Sequence, residues 1–257
     1  SQSYVPGNKG YHKTRCGGWI LMKYFRFFPK LDYDLDDDGQ TKSVIDLFRF
    51  AKIINAVTDD ITFYRNYDIQ DGERPDHVSQ KLYGTTDYHW TFFIANPEMK
   101  SLYTGWPRSR EEMESYVEDT YPDHVLNIDS YNFFNQFEVG ETIQGLISGA
   151  TATVVSKDVN LGWMKITNKV GTFSNNEIVR GLVSGDFETI AGEALEKNAA
   201  HHYEQGGYIV ERSPTAAIIT FEQYEIDKND TKRTIRVLRP EYVGQVASQF
   251  REAINER

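Results

Sequence analysis

Two stretches of the chain, residues 137–149 and 173–185, have closely similar sequences. Six of their thirteen positions are identical, and two more exchange isoleucine with valine. Glycines stand at matching places, short β-branched runs lie between them, and residues 137–195 contain no proline. Glycines at fixed places between apolar runs are typical of two copies of one hairpin-like unit. We therefore predict a small all-β domain over residues 131–200, in which the two copies fold back to back as a barrel or a sandwich.

The composition excludes several classes of protein. The 257 residues include 28 Lys and Arg against 38 Asp and Glu, a net charge of −10, and such an acidic chain lacks the basic surface that binds nucleic acid. The single cysteine, Cys16, excludes an internal disulfide framework and a cysteine-based zinc cluster. No apolar run is long enough to span a membrane, and the first ten residues do not resemble a signal peptide. We expect a soluble protein of a reducing compartment, with no nucleic-acid or membrane partner.

The first forty residues predict an extended arm followed by an acidic loop. Glycine and proline are frequent within residues 6–18, so this stretch has little side chain to pack. Arms of this kind usually become ordered on a partner, and a simple edge strand is the alternative.

The acidic loop resembles the first half of an EF-hand calcium site. Asp34, Asp36 and Asp38 alternate before Gly39, and such carboxylates supply hard oxygen ligands. The twelfth position, which should be a bidentate glutamate, is Ile45. A solvated acidic turn is therefore the main interpretation, and a calcium site is the alternative.

Cap residues predict the helices of residues 41–130. Ser43 is a candidate N-cap for a helix over residues 44–51, Pro75 begins a short helix that Gly84 ends, and Asp87 caps the next one. Ser109 and Glu112 have capping-box spacing for a further helix.

Residues 201–257 predict a hairpin and a helix. Strands over residues 216–226 and 232–238 are joined across residues 228–231, and a helix then begins at Pro240. The helix carries an apolar stripe that something must cover, formed by Val243, Val246, Ala247, Phe250 and Ile254.

The sequence contains no recognisable catalytic set. His201 and His202 are adjacent, so on a strand they should face opposite sides and cannot both ligate one ion. Neither the metalloprotease pattern H-E-x-x-H nor the nucleophile elbow G-x-S-x-G occurs. We predict no enzyme activity, no catalytic residues and no cofactor.

Residues 67–96 resemble a LysM module. The segment from Tyr67 to Gly84, continuing to Trp90, Ile94 and Asn96, follows the order of that family: a strand, a turn, a helix ending in Tyr-Gly, and a second helix with Trp and a closing Asn. Arg74-Pro75 stands where the family has an aliphatic residue. The resemblance implies that the Thr62–Ile69 strand pairs with the Thr234–Leu238 strand.

A longer series of motifs resembles the gene-53 type baseplate wedge proteins of T-even-like contractile-tailed phages. Over residues 22–125 the motifs are Phe25-Arg-Phe27-Phe28-Pro29, Tyr33, Asp46-Leu47-Phe48-Arg49, Tyr64, Arg74-Pro75, Leu82-Tyr83-Gly84, Tyr88-His89-Trp90 and Tyr103-Thr104-Gly105-Trp106. The strand and helix of residues 216–257 resemble the end of those proteins, whereas the repeat region looks like an insertion.

The resemblance implies a structural virion protein. Such a subunit joins neighbouring wedges into the tail baseplate after assembly in the host cytoplasm. Its expected partners are other wedge proteins and neighbouring wedges, with tail tube or sheath-initiating proteins as further candidates. Tyr and Trp carry much interface energy in proteins, and the first residues expected at the interface are Phe27, Phe28, Tyr88, Trp90 and Trp106.

Together these features predict an α+β protein. It has an extended arm and acidic loop (1–40), a LysM-like domain (41–130), an inserted β domain (131–200) and a C-terminal hairpin and helix that complete the LysM-like domain (201–257). The alternative function is a LysM-type protein that binds the glycans of peptidoglycan through backbone and aromatic contacts.

Overall fold

The structure, a computed structural model, describes residues 28–34, 40–45, 61–99, 105–128, 130 and 137–255. The predicted arm of residues 1–18, together with Phe27, lies outside these residues. The chain divides into two compact units. We call residues 1–106 with 234–257 the terminal unit, and residues 107–233 the inserted unit. The predicted inserted domain has other bounds, residues 131 and 200, and that division stays a prediction.

Within the described residues, helices and strands alternate irregularly. The strands are β1 (Lys30–Tyr33), β2 (Lys42–Ile45), β3 (Tyr64–Asp68), β4 (His124–Ile128), β5 (Thr142–Gly145), β6 (Thr151–Asp158), β7 (Trp163–Val170), β8 (Ile178–Gly181), β9 (Phe187–Leu195), β10 (Ala200–Gln205), β11 (Tyr208–Val210), β12 (Ala217–Thr220) and β13 (Thr234–Leu238). The α-helices are α1 (Pro75–Tyr83), α2 (Thr91–Ala95), α3 (Arg110–Thr120), α4 (Phe221–Asp230) and α5 (Pro240–Asn255). Short 3-10 helices occupy Ile61–Phe63, Thr86–Tyr88 and Glu196–Asn198. No helix in these ranges combines the length and apolar character needed to cross a bilayer.

The terminal unit is built on an antiparallel pair of strands far apart in sequence. β3 pairs with β13 from Tyr64 opposite Leu238 to Asp68 opposite Thr234. The predicted pairing of these two segments is therefore confirmed. Helices α1 and α2 follow β3, and their apolar residues share one core with β13, formed by Ile69, Val78, Phe92, Met99, Trp106, Ile235 and Val237.

Several predicted helix ends are confirmed. Pro75 occupies the first turn of α1, and Gly84 ends the helix in the left-handed region (φ 72°), where its N–H donates to the carbonyl of Gln80. Ser109 and Glu112 form the predicted capping box at the start of α3. The cap of the second helix is wrong: α2 begins at Thr91, and Asp87 instead lies in a 3-10 turn whose cap is Thr85.

The helix predicted from Ser43 is wrong at its start. Ser43 and Val44 lie in β2, which pairs antiparallel with β1. Pairing with a neighbouring strand has overridden the local helical pattern, and residues 46–60 of this prediction lie outside the described residues.

The predicted C-terminal hairpin is also wrong. Residues 221–230 form α4, whose N-cap Thr220 accepts a hydrogen bond from the backbone N–H of Gln223. β12 pairs with β10 rather than with β13. The buried face of α4 carries the polar residues Glu225 and Asn229, so the sequence shows no apolar stripe that would indicate a helix.

The apolar stripe of α5 is covered within the terminal unit. Val243 and Val246 pack with Tyr64 and Leu238, and Phe250 and Ile254 pack with Phe28 in a separate cluster. The predicted cover of the stripe is thus supplied by residues of the terminal unit itself.

The inserted unit contains a closed six-stranded antiparallel barrel in the order β4-β7-β6-β5-β8-β9. The predicted choice between a barrel and a sandwich is thus resolved as a barrel. Strands alternate inward and outward residues, and the inward ones fill one core of Leu126, Ile128, Phe137, Ile143, Ala150, Ala152, Val154, Met164, Ile166, Phe173, Val179 and Ile190. A separate three-stranded sheet, β11-β10-β12, follows the barrel in sequence.

Candidate functional site

Trp106, a predicted interface residue, is buried in the core of the terminal unit. It is 8% exposed, and its indole Nε1 donates a hydrogen bond of 2.7 Å to the carbonyl of Glu73. Its ring lies 6.0 Å from those of Phe92 and Phe93. Since buried indoles normally find such an acceptor, the burial of Trp106 has a packing reason inside this chain.

Three other predicted interface residues, Phe28, Tyr88 and Trp90, belong to the described residues and lie near α5 or α2. Phe28 is 8% exposed in the cluster with Phe250 and Ile254. Trp90 is half-buried, with its ring 4.6 Å from that of Phe250. Tyr88 is half-buried and packs edge-on against Tyr83 at 5.9 Å. The structure thus places Tyr88 and Trp90 where part of each ring remains accessible, and the role of all these residues in an interface stays a prediction.

A polar network closes the turn between β3 and α1. The Tyr67 hydroxyl donates to Glu73 Oε2 at 2.7 Å, and Lys81 Nζ donates to Glu73 Oε1 at 2.9 Å. Although partial burial alone would raise it, the hydrogen bonds from the Gln70 N–H, Lys81 and Tyr67 hold the pKa of Glu73 below its ordinary value. The network ties α1 to the end of β3 and offers no free nucleophile or base.

Two buried glutamates link the two similar segments of the barrel. Glu177 accepts hydrogen bonds from the backbone N–H groups of Ile147 and Ser148, at 3.1 and 3.0 Å. Its other oxygen accepts from the Ser148 hydroxyl at 2.8 Å and from the Ser174 N–H. Both oxygens of the buried carboxylate thus receive hydrogen bonds from donors, as a buried polar group requires.

Glu141 makes the corresponding contacts in the opposite direction. It accepts from the backbone N–H groups of Val183 and Ser184, at 3.2 and 3.1 Å, from the Ser184 hydroxyl, and from the Glu138 N–H. Every one of these donors lies 36 residues from its counterpart around Glu177. Each segment therefore holds the turn of the other through one carboxylate.

These contacts predict an acid-sensitive barrel. Burial alone would raise the pKa values of Glu141 and Glu177, but the hydrogen bonds from the backbone and from Ser184 and Ser148 hold both below the ordinary 4.5. A carboxyl whose pKa is lower in the folded chain stabilises the fold above its unfolded pKa. We expect the free energy of unfolding of the barrel to fall as the pH drops below about 4.5 and through the lower folded values.

Urea titrations from pH 7 to pH 3 measure this dependence. The variant with Glu141→Gln and Glu177→Gln should show a flatter pH dependence than the wild type, because neither group can then lose a charge. Equal slopes in the two proteins would contradict the role of these carboxylates.

Two glycines leave room for the glutamates. A Cβ atom on Gly145 would lie 2.5 Å from Glu177 Oε2, and one on Gly181 would lie 2.6 Å from Glu141 Oε2. We expect Gly145→Ala or Gly181→Ala to lower the free energy of unfolding by about 2 kcal/mol, since the carboxylate must leave its donors. Gly244→Ala in α5 is the matched control, because nothing lies within 4 Å of its added methyl. In thermal melts, the control should leave the free energy of unfolding unchanged or raise it by at most about 0.5–1 kcal/mol.

His201 and His202 do not face opposite sides as predicted. The pairing of β10 with β12 shifts register between Ala200 and His202, so a β-bulge interrupts the alternation. The two Nδ1 atoms lie 2.9 Å apart, and the His201 ring stacks on Tyr224 at 3.8 Å. Burial, and next the nearby His202, lower the pKa of His201, which favours the uncharged form of its ring.

Metal binding has no support in the described part of the chain. There, no group of three or more His, Cys, Asp and Glu side chains could hold an ion. Asp34 belongs to this part, but Asp36 and Asp38 do not. The calcium site therefore stays a prediction, which calorimetry without heat on calcium addition would contradict.

Sequence reasoning missed the role of Glu141 and Glu177. The signal was present, since the same acidic residue stands at one fixed place in both similar segments. An identical charge inside an otherwise apolar repeat indicates a buried acceptor, but the donors are some 30 to 40 residues away in sequence and only the closed barrel identifies them.

Comparison with known proteins supports the predicted relationship for one part of the chain. Residues 23–139 match a family model described as base plate wedge protein 53. No curated protein matches the chain. The match spans most of the described terminal unit before residue 107, then α3 and β4, and ends before β5. Over residues 23–139 the chain is therefore similar to the phage baseplate wedge protein family that the order of its aromatic motifs predicts.

Proposed function

We propose that this chain is a structural subunit of a phage tail baseplate that joins neighbouring wedges by protein–protein contacts. The observation that carries the proposal is the match of residues 23–139 to base plate wedge protein 53. The proposed location is the virion tail, after assembly in the host cytoplasm. The proposed partners are other wedge proteins and neighbouring wedges, with tail tube or sheath-initiating proteins as further candidates.

A phage that lacks this chain tests the proposal. We expect its lysate to contain no complete baseplates by electron microscopy, and we expect the chain supplied from a plasmid to restore them. Intact baseplates in the deletion lysate would contradict the proposal. Saturable retention of the purified chain on peptidoglycan would instead favour the glycan-binding alternative.

We also propose that Tyr88 and Trp90 contribute to the contact between wedges. Both rings are partly accessible, and aromatic residues with accessible faces supply much interface energy. Plasmids that encode Tyr88→Ser or Trp90→Ser should restore fewer baseplates than the wild type. Tyr208→Ser is the matched control, because Tyr208 is 77% exposed and lies outside the matched residues. Thermal melts of the purified variants separate a lost contact from a lost fold.

We further propose that the terminal unit has a LysM-like fold that binds other proteins. Its order of β3, α1, α2 and β13, and the core these elements share, support the proposal. Asn96, the predicted closing asparagine, joins α2 to β13 by hydrogen bonds in both directions with Arg236. An experimental structure in which α1 and α2 lay on opposite faces of the strand pair would contradict this fold.

The barrel, we propose, consists of two copies of one three-stranded unit, β4-β5-β6 and β7-β8-β9. The pairing of β5 with β8 supports this, because Gln144 lies opposite Arg180, its counterpart 36 residues later. Ile143 opposite Gly181 and Gly145 opposite Val179 are likewise exchanged by the same shift. A two-fold axis through the Gln144–Arg180 pair would relate the two copies.

A further inference from the structure

For most residues shared by the two similar segments, contacts within the chain explain why both segments have the same residue type. The phenylalanines Phe137 and Phe173 fill the barrel core, and the two glutamates bind the opposite turns. Other shared positions also have a structural role: the glycines leave room for a side chain or adopt positive φ, the serines donate to the glutamates, and Ile143 and Val179 are buried.

Two shared positions have no such role among the described residues. Leu146 and its counterpart Leu182 are each 52% exposed, and Ile147 and Val183 are 75% and 70% exposed. Other outward-facing positions of the segments have diverged, since Val139 corresponds to Asn175 and Gln144 to Arg180. An exposed turn normally favours polar residues. Aliphatic side chains kept in both copies at exposed sites therefore indicate contact with something outside the chain.

The two turns lie at opposite ends of one wall of the barrel. The N–H of Leu146 donates to the carbonyl of Ile178, and the N–H of Leu182 donates to that of Thr142. Leu146 follows Thr142 by four residues, so the turns are separated by about 13 Å along the strands. We call residues 146–147 and 182–183 the tips, and β5 with β8 the wall.

The wall between the tips has a mixed chemistry. Its inward residues Ile143 and Val179 are fully buried, so Gln144, Ile178 and Arg180 face outward. The Arg180 guanidinium lies over the exposed ring of Phe187, 5.5 Å from its centre. The surface is thus apolar at both ends with one cation and one amide at its centre.

We propose that the tips and the wall form an interface between two copies of this chain. A second copy of the wall presents the same two apolar tips at the same spacing, so it can cover both tips at once. Two walls placed face to face bring tip over tip, and Arg180 of one copy can then face Gln144 of the other and donate to its amide oxygen. Such a self-complementary patch is the geometry of a two-fold dimer.

A lipid surface is the less favoured occupant of the tips. Asp186 and Glu188 follow the second tip directly, and the whole chain carries a charge of −10, which opposes approach to an anionic bilayer. The proposed dimer rests on the barrel alone and does not require the wedge role.

Sedimentation velocity of the full chain tests the proposal. We expect the mass to rise from 29.6 kDa toward twice that value as the concentration increases through the micromolar range. Ile147→Ser and Val183→Ser should each weaken the dimer by about tenfold or more and by similar factors, because the two tips are equivalent. The double variant should remain monomeric at every concentration.

Val139→Asn is the matched control. Val139 is 63% exposed in the same segment but is not part of a tip, and its counterpart is already asparagine. This variant should dimerise like the wild type. Since all the replaced side chains are exposed, thermal melts should show similar stability in every variant.

Three results would overturn the proposal: a wild-type monomer at all concentrations, a dimer that the tip variants leave unchanged, or a control that weakens the dimer as much as they do. Binding of a monomeric chain to vesicles of phosphatidylglycerol and phosphatidylethanolamine, lost in Ile147→Ser, would assign the tips to a membrane instead. A failure to dimerise leaves the baseplate test unaffected, so the two proposals can fail separately.

Discussion

Glu177→Ala is expected to lower the free energy of unfolding of the barrel by about 3 kcal/mol, a large part of the stability of a small domain. The Glu177 side chain is fully buried and accepts hydrogen bonds on both oxygens. Its removal leaves the N–H groups of Ile147 and Ser148 without their acceptor and opens a cavity beside the core. Hydrogen exchange of barrel peptides through a urea titration measures the effect on this unit separately.

Two further variants sharpen this measurement. Glu177→Gln keeps the shape of the side chain, but its amide nitrogen must face an N–H donor, so we expect a loss of about 1–2 kcal/mol. Glu138→Ala is the control, because Glu138 is an exposed glutamate of the other similar segment, at the position that corresponds to Ser174. Equal stability of Glu177→Ala and Glu138→Ala would contradict the structural role of the buried carboxylate.

Asn96→Ala is expected to lower the free energy of unfolding of the terminal unit by about 3 kcal/mol. The Asn96 amide donates to the carbonyls of Phe92 and Arg236, at 2.7 and 2.8 Å, and its oxygen accepts from the Arg236 N–H at 2.8 Å. Asn96 is 1% exposed, so water cannot replace these bonds. Without them α2 loses its attachment to β13.

Asn66→Ala provides the control for this variant. Asn66 is exposed and lies opposite Arg236 in the β3–β13 pair, so its loss should cost less than about 1 kcal/mol. The same urea titration, followed through peptides of the terminal unit, distinguishes the two. Asn96→Asp should cost at least as much as Asn96→Ala, because a buried carboxylate oxygen would face the two carbonyl oxygens to which the amide donates.

The sequence predicted elements whose signals are local. Pro75, Gly84, and the capping box of Ser109 with Glu112 act within one helical turn, so these helix ends could be read directly. Interpretation failed where a distant partner decides the structure. Ser43 and Val44 lie in a strand because β1 is beside them. The helix α4 was missed because its buried residues Glu225 and Asn229 are polar. Their hydrogen-bond partners in the inserted unit lie more than a hundred residues earlier in the chain, so no local pattern indicates their burial.

The sequence by itself determined that residues 137–149 and 173–185 build matching turns, because glycines and β-branched residues act over a few bonds. It also predicted, from the LysM resemblance, that β3 pairs with β13, and the structure confirms this pairing. Only the tertiary structure decided that the sheet closes as a barrel, that the stripe of α5 is covered within its own unit, and that the four aliphatic side chains of the two tips stay exposed. The physical reason is that the burial of a side chain depends on which distant segments pack together, and the hydrophobic pattern of the sequence alone does not identify those segments.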